Sequence, residues 1–235
     1  MKKFAVHALL AAAFLLPPPL LWGGTVKGKV VLEPREGVRL PGAASQGGGR
    51  DPYGGSGGKK TPPLVDYNDR SEVVVYIEEA PGRFPPLASN PVLNQQNTSF
   101  MPRVLPVLAG STVDFPNNDN IFHNVFSFSD AKNFDLGLYP KGQSKSLTFD
   151  KPGVVRLYCS IHSEMSAVIL VLQNPYFAMA KKGGEFAIEG VPAGNYTLVA
   201  WHERFPPARA DVAVPAEGTV EADLRLGVKN LPVVK

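Results

Sequence analysis

The pattern of apolar and polar positions changes character several times along the chain. Residues 1–24, MKKFAVHALLAAAFLLPPPLLWGG, open with Lys2 and Lys3 and continue as a largely apolar run to Leu16 before three prolines. That is the layout of a signal peptide, and Pro17, Pro18 and Pro19 argue against one continuous membrane helix. GTVKGKVVLE (Gly24–Glu33) alternates as a half-buried strand does. The Gly/Ser/Pro tract at 41–63 has no apolar period and is expected to be a disordered loop, because it cannot bury enough surface to offset its ordering entropy. VVVYIEE (Val73–Glu79) predicts the next strand, ahead of a proline-rich crossing.

A denser texture begins near Val92. FMPRVLPVLAGSTVDFPN predicts two short strands and IFHNVFSFS (Ile121–Ser129) another. SKSLTF (Ser144–Phe149), GVVRLYC (Gly153–Cys159) and SAVILVLQ (Ser166–Gln173) follow, separated by Gly, Pro and Asp turns. GEFAIEGVPAGNYTLVAWHE, RADVAV and TVEADLRL add three or four more strands. With no helical period outside the leader, the expected fold is all-β, a sandwich of many short strands. The 23 glycines and 23 prolines fit so many turns.

Charge narrows the choice of partner. The formal charge is +3, and residues 1–24 hold two lysines and no acid, so the remainder carries about +1. Near neutrality argues against nucleic acid or an anionic membrane as partner. The chain has one cysteine, so it forms no internal disulfide, and an odd thiol in an exported protein calls for a reason. Cys159 ends one apolar strand, Met165 precedes the next, and His162 lies between them in YCSIHSEM. A thiolate, an imidazole and a thioether so close together form a soft metal-facing surface. One more nitrogen would complete a His₂Cys set with a weak axial Met. Of the four histidines, His7 is in the leader, and His202, in TLVAWHERF, is read as a rim residue beside a packed Trp201. His123 remains.

The stretch FMPRVLPVLAGSTVDFPNNDNIFHNVFS, continued to GVVRLYCSIHSEMSAVILVL, resembles the cupredoxins, and the short Cys159, His162, Met165 spacing resembles the amicyanin loop. The resemblance implies a Greek-key β-sandwich over 92–173 binding one type 1 (blue) copper through His123, Cys159, His162 and Met165. It implies that Asn124 supports the ligands, with its backbone N–H on the Cys159 sulfur and its side chain across the ligand loop. It also implies a surrounding apolar partner patch with Phe122 and Ile161 as candidates. Ile161 stands where close relatives carry a proline, and the copper segment looks short enough to borrow neighbouring strands for its sheet. The flanks, 25–80 and 174–228, resemble the carboxypeptidase regulatory-like (transthyretin-like) sandwich, in which the copper segment would be inserted. A rival layout makes Gly24–Glu79 extra strands of the cupredoxin itself.

Counting removes other chemistries. A trinuclear copper cluster needs many more histidines than this chain has, methionine is a poor zinc ligand, and a cysteine three residues before a histidine lacks the separated base and orienter of cysteine hydrolases. The expected function is therefore non-enzymatic: a periplasmic or otherwise exported carrier of single electrons between a donor and an acceptor protein, with no membrane span in the mature chain. The alternatives are a copper-holding or copper-delivery protein and a surface-binding scaffold with structural copper.

Overall fold

The computed structural model describes residues 23–34 and 65–227, so the leader up to Trp22 and the tract at 41–63 lie outside the described residues. Every regular element described is a strand. No helix among the described residues is long and apolar enough to cross a membrane. Two strands precede the 92–173 segment, β1 (Gly24–Leu32) and β2 (Val74–Ile77). Within that segment lie β3 (Asn94–Gln96), β4 (Ser99–Met101), β5 (Val104–Leu108), β6 (Ser111–Pro116), β7 (Phe126–Ser129), β8 (Lys132–Asp135), β9 (Ser144–Phe149), β10 (Gly153–Tyr158) and β11 (Ser166–Leu172). After it come β12 (Phe177–Met179), β13 (Glu185–Val191), β14 (Gly194–His202), β15 (Phe205–Val214), β16 (Thr219–Glu221) and β17 (Leu224–Leu226).

Pairing separates these strands into two groups. β1 runs antiparallel to β13 and parallel to β16 and then β17, while β2 lies between β12 and β14 in a sheet whose far edge is β15. Their apolar faces enclose one core, from Val26 and Val30 to Leu198 and Leu226. Inside 92–173, β5, β11, β10, β7 and β8 form one five-stranded sheet, parallel only between β5 and β11, with β6–β9 and β3–β4 as separate pairs. These elements enclose a second core running from Leu93 to Val171.

The strand SAVILVL shows how the two groups meet. It does not alternate, because both its faces are covered. Ala167, Ile169 and Val171 face the second core, while Val168, Leu170 and Leu172 join Val104 in a cluster with Val74 and Trp201 from the other group. The flanking strands thus cover a face of the five-stranded sheet and add nothing to its edge, contrary to the expectation that they complete it. Beside this cluster Arg103 donates to Glu72 at 2.6 and 2.7 Å and to Glu203 at 2.8 Å. Burial of Val168, Leu170 and Leu172, each at most 6% exposed, is worth on the order of 1.5–3 kcal/mol per side chain.

Several local expectations need correction. The strand expected over Ile121–Ser129 is regular only from Phe126, and the turn after it leads straight into β8. Residues 99–116 hold three strands where two were expected, and the C-terminal part holds six. β15 runs through Pro206 and Pro207, which it can do as the edge of its sheet, where a missing N–H costs no ladder bond. His202 is buried, not on the rim. β14 is covered on both faces here, Trp201 lying in the cluster between the cores and the His202 ring standing 5.2 Å from that of Phe205.

Candidate metal centre

β10 and β11 pair antiparallel over six residues, from Gly153 opposite Val171 to Tyr158 opposite Ser166. The loop between them continues the hairpin. Cys159 N–H donates to the Met165 carbonyl at 3.3 Å, and Met165 N–H to the His162 carbonyl at 3.0 Å. The pairing therefore fixes where the thiol and the thioether-bearing residue sit, and leaves His162 at the turn. Cys159 and Met165 are buried, whereas His162 is partly exposed.

His123 arrives from a different part of the fold. It forms a lone antiparallel bridge with Tyr139, whose carbonyl accepts from His123 N–H at 3.2 Å and whose N–H donates to the His123 carbonyl at 2.9 Å. Tyr139 is itself anchored. Its hydroxyl donates to the Phe115 carbonyl at 2.9 Å and accepts from Gln95 Nε2 at 2.5 Å. Burial pushes the Tyr139 phenol up to about 12, with Gln95 opposing and Cys159 reinforcing the rise. The turn before His123 is shaped by buried Asn117, which donates to the carbonyls of Ile121 and Tyr139, both at 2.9 Å, and accepts from Asp119 N–H at 3.0 Å. This side-chain cage breaks the ladder over residues 121–125, which is why His123 stands on irregular backbone.

Three ligand-type atoms converge. His123 Nδ1 and His162 Nδ1 are 3.1 Å apart, and Cys159 Sγ lies 3.6 Å from the second and 3.9 Å from the first. A circle through the corners of such a triangle has a radius of about 2.1 Å, the length of ordinary metal–imidazole and metal–thiolate bonds, about 2.0–2.3 Å. An ion placed there would reach all three atoms without rearrangement of the chain. The donors are also of matching chemical type, soft sulfur with two borderline nitrogens, which suits copper. Among the described residues no other group of histidine, cysteine and carboxylate side chains comes together in this way.

The surroundings of this triangle are specific. His123 Nε2 sits 2.8 Å from Asp119 Oδ2. A carboxylate only accepts, so Nε2 carries the proton and Nδ1 is left as a lone pair facing the site. Asp119 also accepts from the backbone N–H of Asn97 and Thr98. Burial opposes its ionisation, but the Thr98, His123 and Asn97 donors outweigh it and hold the carboxyl below its ordinary value. Asn124 is buried, and its side chain does cross to the ligand loop. Its Oδ1 accepts from Ser160 N–H and its Nδ2 donates to Asp135, both at 2.7 Å. The Cys159 sulfur faces the two imidazoles.

Phe122 and Ile161, sequence neighbours of the two histidines, are 53% and 50% exposed, and Ile121 and Leu138 are similarly open. His202 stands apart, in the ion-pair group of Glu72, Arg103 and Glu203. Sequence reading missed Asp119, Asn117, Gln95 and Tyr139. The only trace of the first two was the Asn/Asp-rich turn ahead of His123, and nothing local marked the others.

Residues 90–172 match the family described as "Copper binding proteins, plastocyanin/azurin family". No curated protein matches the chain. Among solved structures, the copper-containing nitrite reductase from Thermus scotoductus SA-01 is 26% identical, with 38% of this chain and 26% of that one covered and a TM-score of 0.35. This chain therefore spans about a quarter of the reductase. A purple cupredoxin from Nitrosopumilus maritimus is 22% identical over 35% of this chain and 99% of its own, with a TM-score of 0.32. A reduced amicyanin variant is 21% identical over 43% and 98%, with a TM-score of 0.34.

Proposed function

We propose, on the match of residues 90–172 to the copper-binding plastocyanin/azurin family, that the protein is an exported carrier of single electrons with one type 1 copper. The observation that carries this reading is the triangle of His123 Nδ1, His162 Nδ1 and Cys159 Sγ, sized for one ion and positioned by the β10–β11 hairpin and the His123–Tyr139 bridge. Bound copper would supply the Cu(I)/Cu(II) couple. His123, Cys159, His162 and Met165 would hold it.

The chain's own residues do the rest. The β10–β11 hairpin fixes Cys159 and Met165, and the Tyr139 bridge fixes His123, so little backbone has to move when the oxidation state changes. Asn124 ties the ligand loop to β8. The partly exposed edge of His162, with Phe122 and Ile161 as apolar neighbours, is the face that a donor or acceptor protein would cover. No substrate chemistry is assigned, because each soft donor of the centre is used in holding the ion. The strands flanking 92–173 act as a regulatory-like scaffold that carries the copper domain, and residues 1–24 direct export.

Reconstitution with Cu(II) tests the reading. The wild-type protein should show intense visible absorption that ascorbate bleaches and air restores. Cys159→Ser should lose that absorption while the far-ultraviolet circular dichroism stays unchanged. A variant that keeps the colour removes the thiolate from the centre. A colourless wild-type protein that surrenders Cu(I) readily to a chelator would instead make it a copper-delivery protein.

A further inference from the structure

Asp119 has a position that a surface acid four residues before a ligand would not need. Its Oδ1 accepts from Asn97 N–H at 2.7 Å, and its Oδ2 accepts from Thr98 N–H at 2.8 Å and faces His123 Nε2 at 2.8 Å. Asn97 and Thr98 are the two residues of the turn joining β3 to β4, and both adopt left-handed backbone, with φ of 53° and 56°. For a β-branched threonine this is an outlier that persists only when its surroundings hold it. The carboxylate supplies the hold: both turn amides point into it. In return, two rigid backbone donors fix the carboxylate, and Asn117 fixes the backbone of Asp119 itself. The remaining donor is the ring of His123, which is fully buried.

We propose that Asp119 is a positioning residue for the metal centre, which locks His123 with Nδ1 free and raises the electron-donating strength of its ring toward copper. This rests on His123 being a copper ligand. A carboxylate that accepts from the distal N–H of a ligating imidazole gives the ring partial imidazolate character and favours the more highly charged ion. Cu(II) is stabilised more than Cu(I), and the reduction potential is held low. The same carboxylate also couples the β3–β4 turn to the centre, so turn and ligand are set together.

Four proteins separate these roles: wild type, Asp119→Asn, Asp119→Ala, and Asp119→Ala combined with Thr98→Gly. Asp119→Asn keeps an acceptor for the imidazole N–H but removes the charge. It should weaken Cu(II) binding about tenfold or more with little change in Cu(I) binding, and each tenfold difference raises the potential by about 59 mV. Asp119→Ala should lower the melting temperature of the metal-free protein as well, because the turn loses its acceptor. Glycine tolerates the left-handed conformation, so Thr98→Gly should restore much of that melting temperature without restoring the potential. In metal-free wild-type protein the His123 Nε2 proton should exchange slowly by NMR, and in Asp119→Ala it should exchange fast. Unchanged potentials and an unchanged Nε2 proton in both Asp119 variants would overturn the assignment. So would a Thr98→Gly rescue of the potential together with the melt, since Asp119 would then be only a brace for the turn. A wild-type protein that takes up no copper would overturn this assignment and the electron-carrier reading alike, whereas a blue wild type with indifferent variants overturns this one alone.

Discussion

Asn124 is buried and spends both ends of its amide on neighbours that would otherwise be free to drift: Ser160 in the ligand loop and Asp135 on the edge strand β8. Replacing it by alanine strands the Ser160 N–H and removes a bond to a charged group, a loss on the order of 2–3 kcal/mol. Asn124→Ala should therefore lower the denaturation midpoint of the metal-free protein, and its Cu(II) spectrum should broaden as the loop loosens; an unchanged midpoint would mean the loop is held by its hairpin alone. At this scale the centre was readable where its residues are neighbours. Cys159 and His162, two of the three residues that converge, announce themselves by spacing within one short loop, and His123 follows by elimination among four histidines. Tyr139 and Gln95 were not readable, because their contribution is a backbone bridge and a hydroxyl bond made across the second core. Asp119 was hidden for a related reason. What gives it a role is a turn about twenty residues earlier, whose amides reach it only in the folded chain.

Elements repeat the lesson in a different form. The strands that matched expectation best, β1, β9, β10 and β11, have apolar runs or clean alternation bounded by turn residues. β8, with the sequence KNFD, has neither, and owes its existence to pairing with β7. Within β1, the glycine at 28 marks the point where the partner changes from β16 to β17. Ala222 N–H donates to the Lys27 carbonyl there, and Lys29 N–H donates to Asp223. A methyl group on Gly28 would sit 1.9 Å from the Ala222 carbonyl oxygen, a backbone atom that cannot swing aside. Gly28→Ala should destabilise the sandwich around β1 by about 1–3 kcal/mol, as overpacking does, and leave the copper spectrum unchanged. Chemical denaturation followed in parallel by circular dichroism and by the copper absorption would show it, and loss of the two signals together at an earlier midpoint would mean the two cores unfold as one.

For the whole molecule, the joint between the cores holds its charged groups close together. His202 is buried there, its Nδ1 accepting from Arg204 N–H and its Nε2 4.0 Å from Glu72, with Arg103 and Glu203 also facing it. Desolvation pushes the imidazole below its ordinary value of about 6.5, Glu72 and Glu203 pull it up, and Arg103 and Arg204 push it down. The unfolded chain thus takes up this proton more readily than the folded one. The stability contribution is full above pH about 6.5 and declines as the pH falls below it, by at most about 1.4 kcal/mol per pH unit. Metal-free His202→Gln should lose that part of the slope below about pH 6.5, read from urea midpoints against wild type; parallel curves would remove His202 as its source. The pairing of β1 has a consequence for biosynthesis. Gly28 leaves the ribosome well over a hundred residues before its partner Phe186, and at about 5–20 residues per second that is an interval of roughly ten to thirty seconds. During that interval the Leu93–Val171 core can close on contacts of its own, while an apolar strand waits with both ladder edges bare. A nascent chain of this design is most open to misassociation after its copper-holding part is already shaped, and translation speed through 174–227 governs how long that exposure lasts.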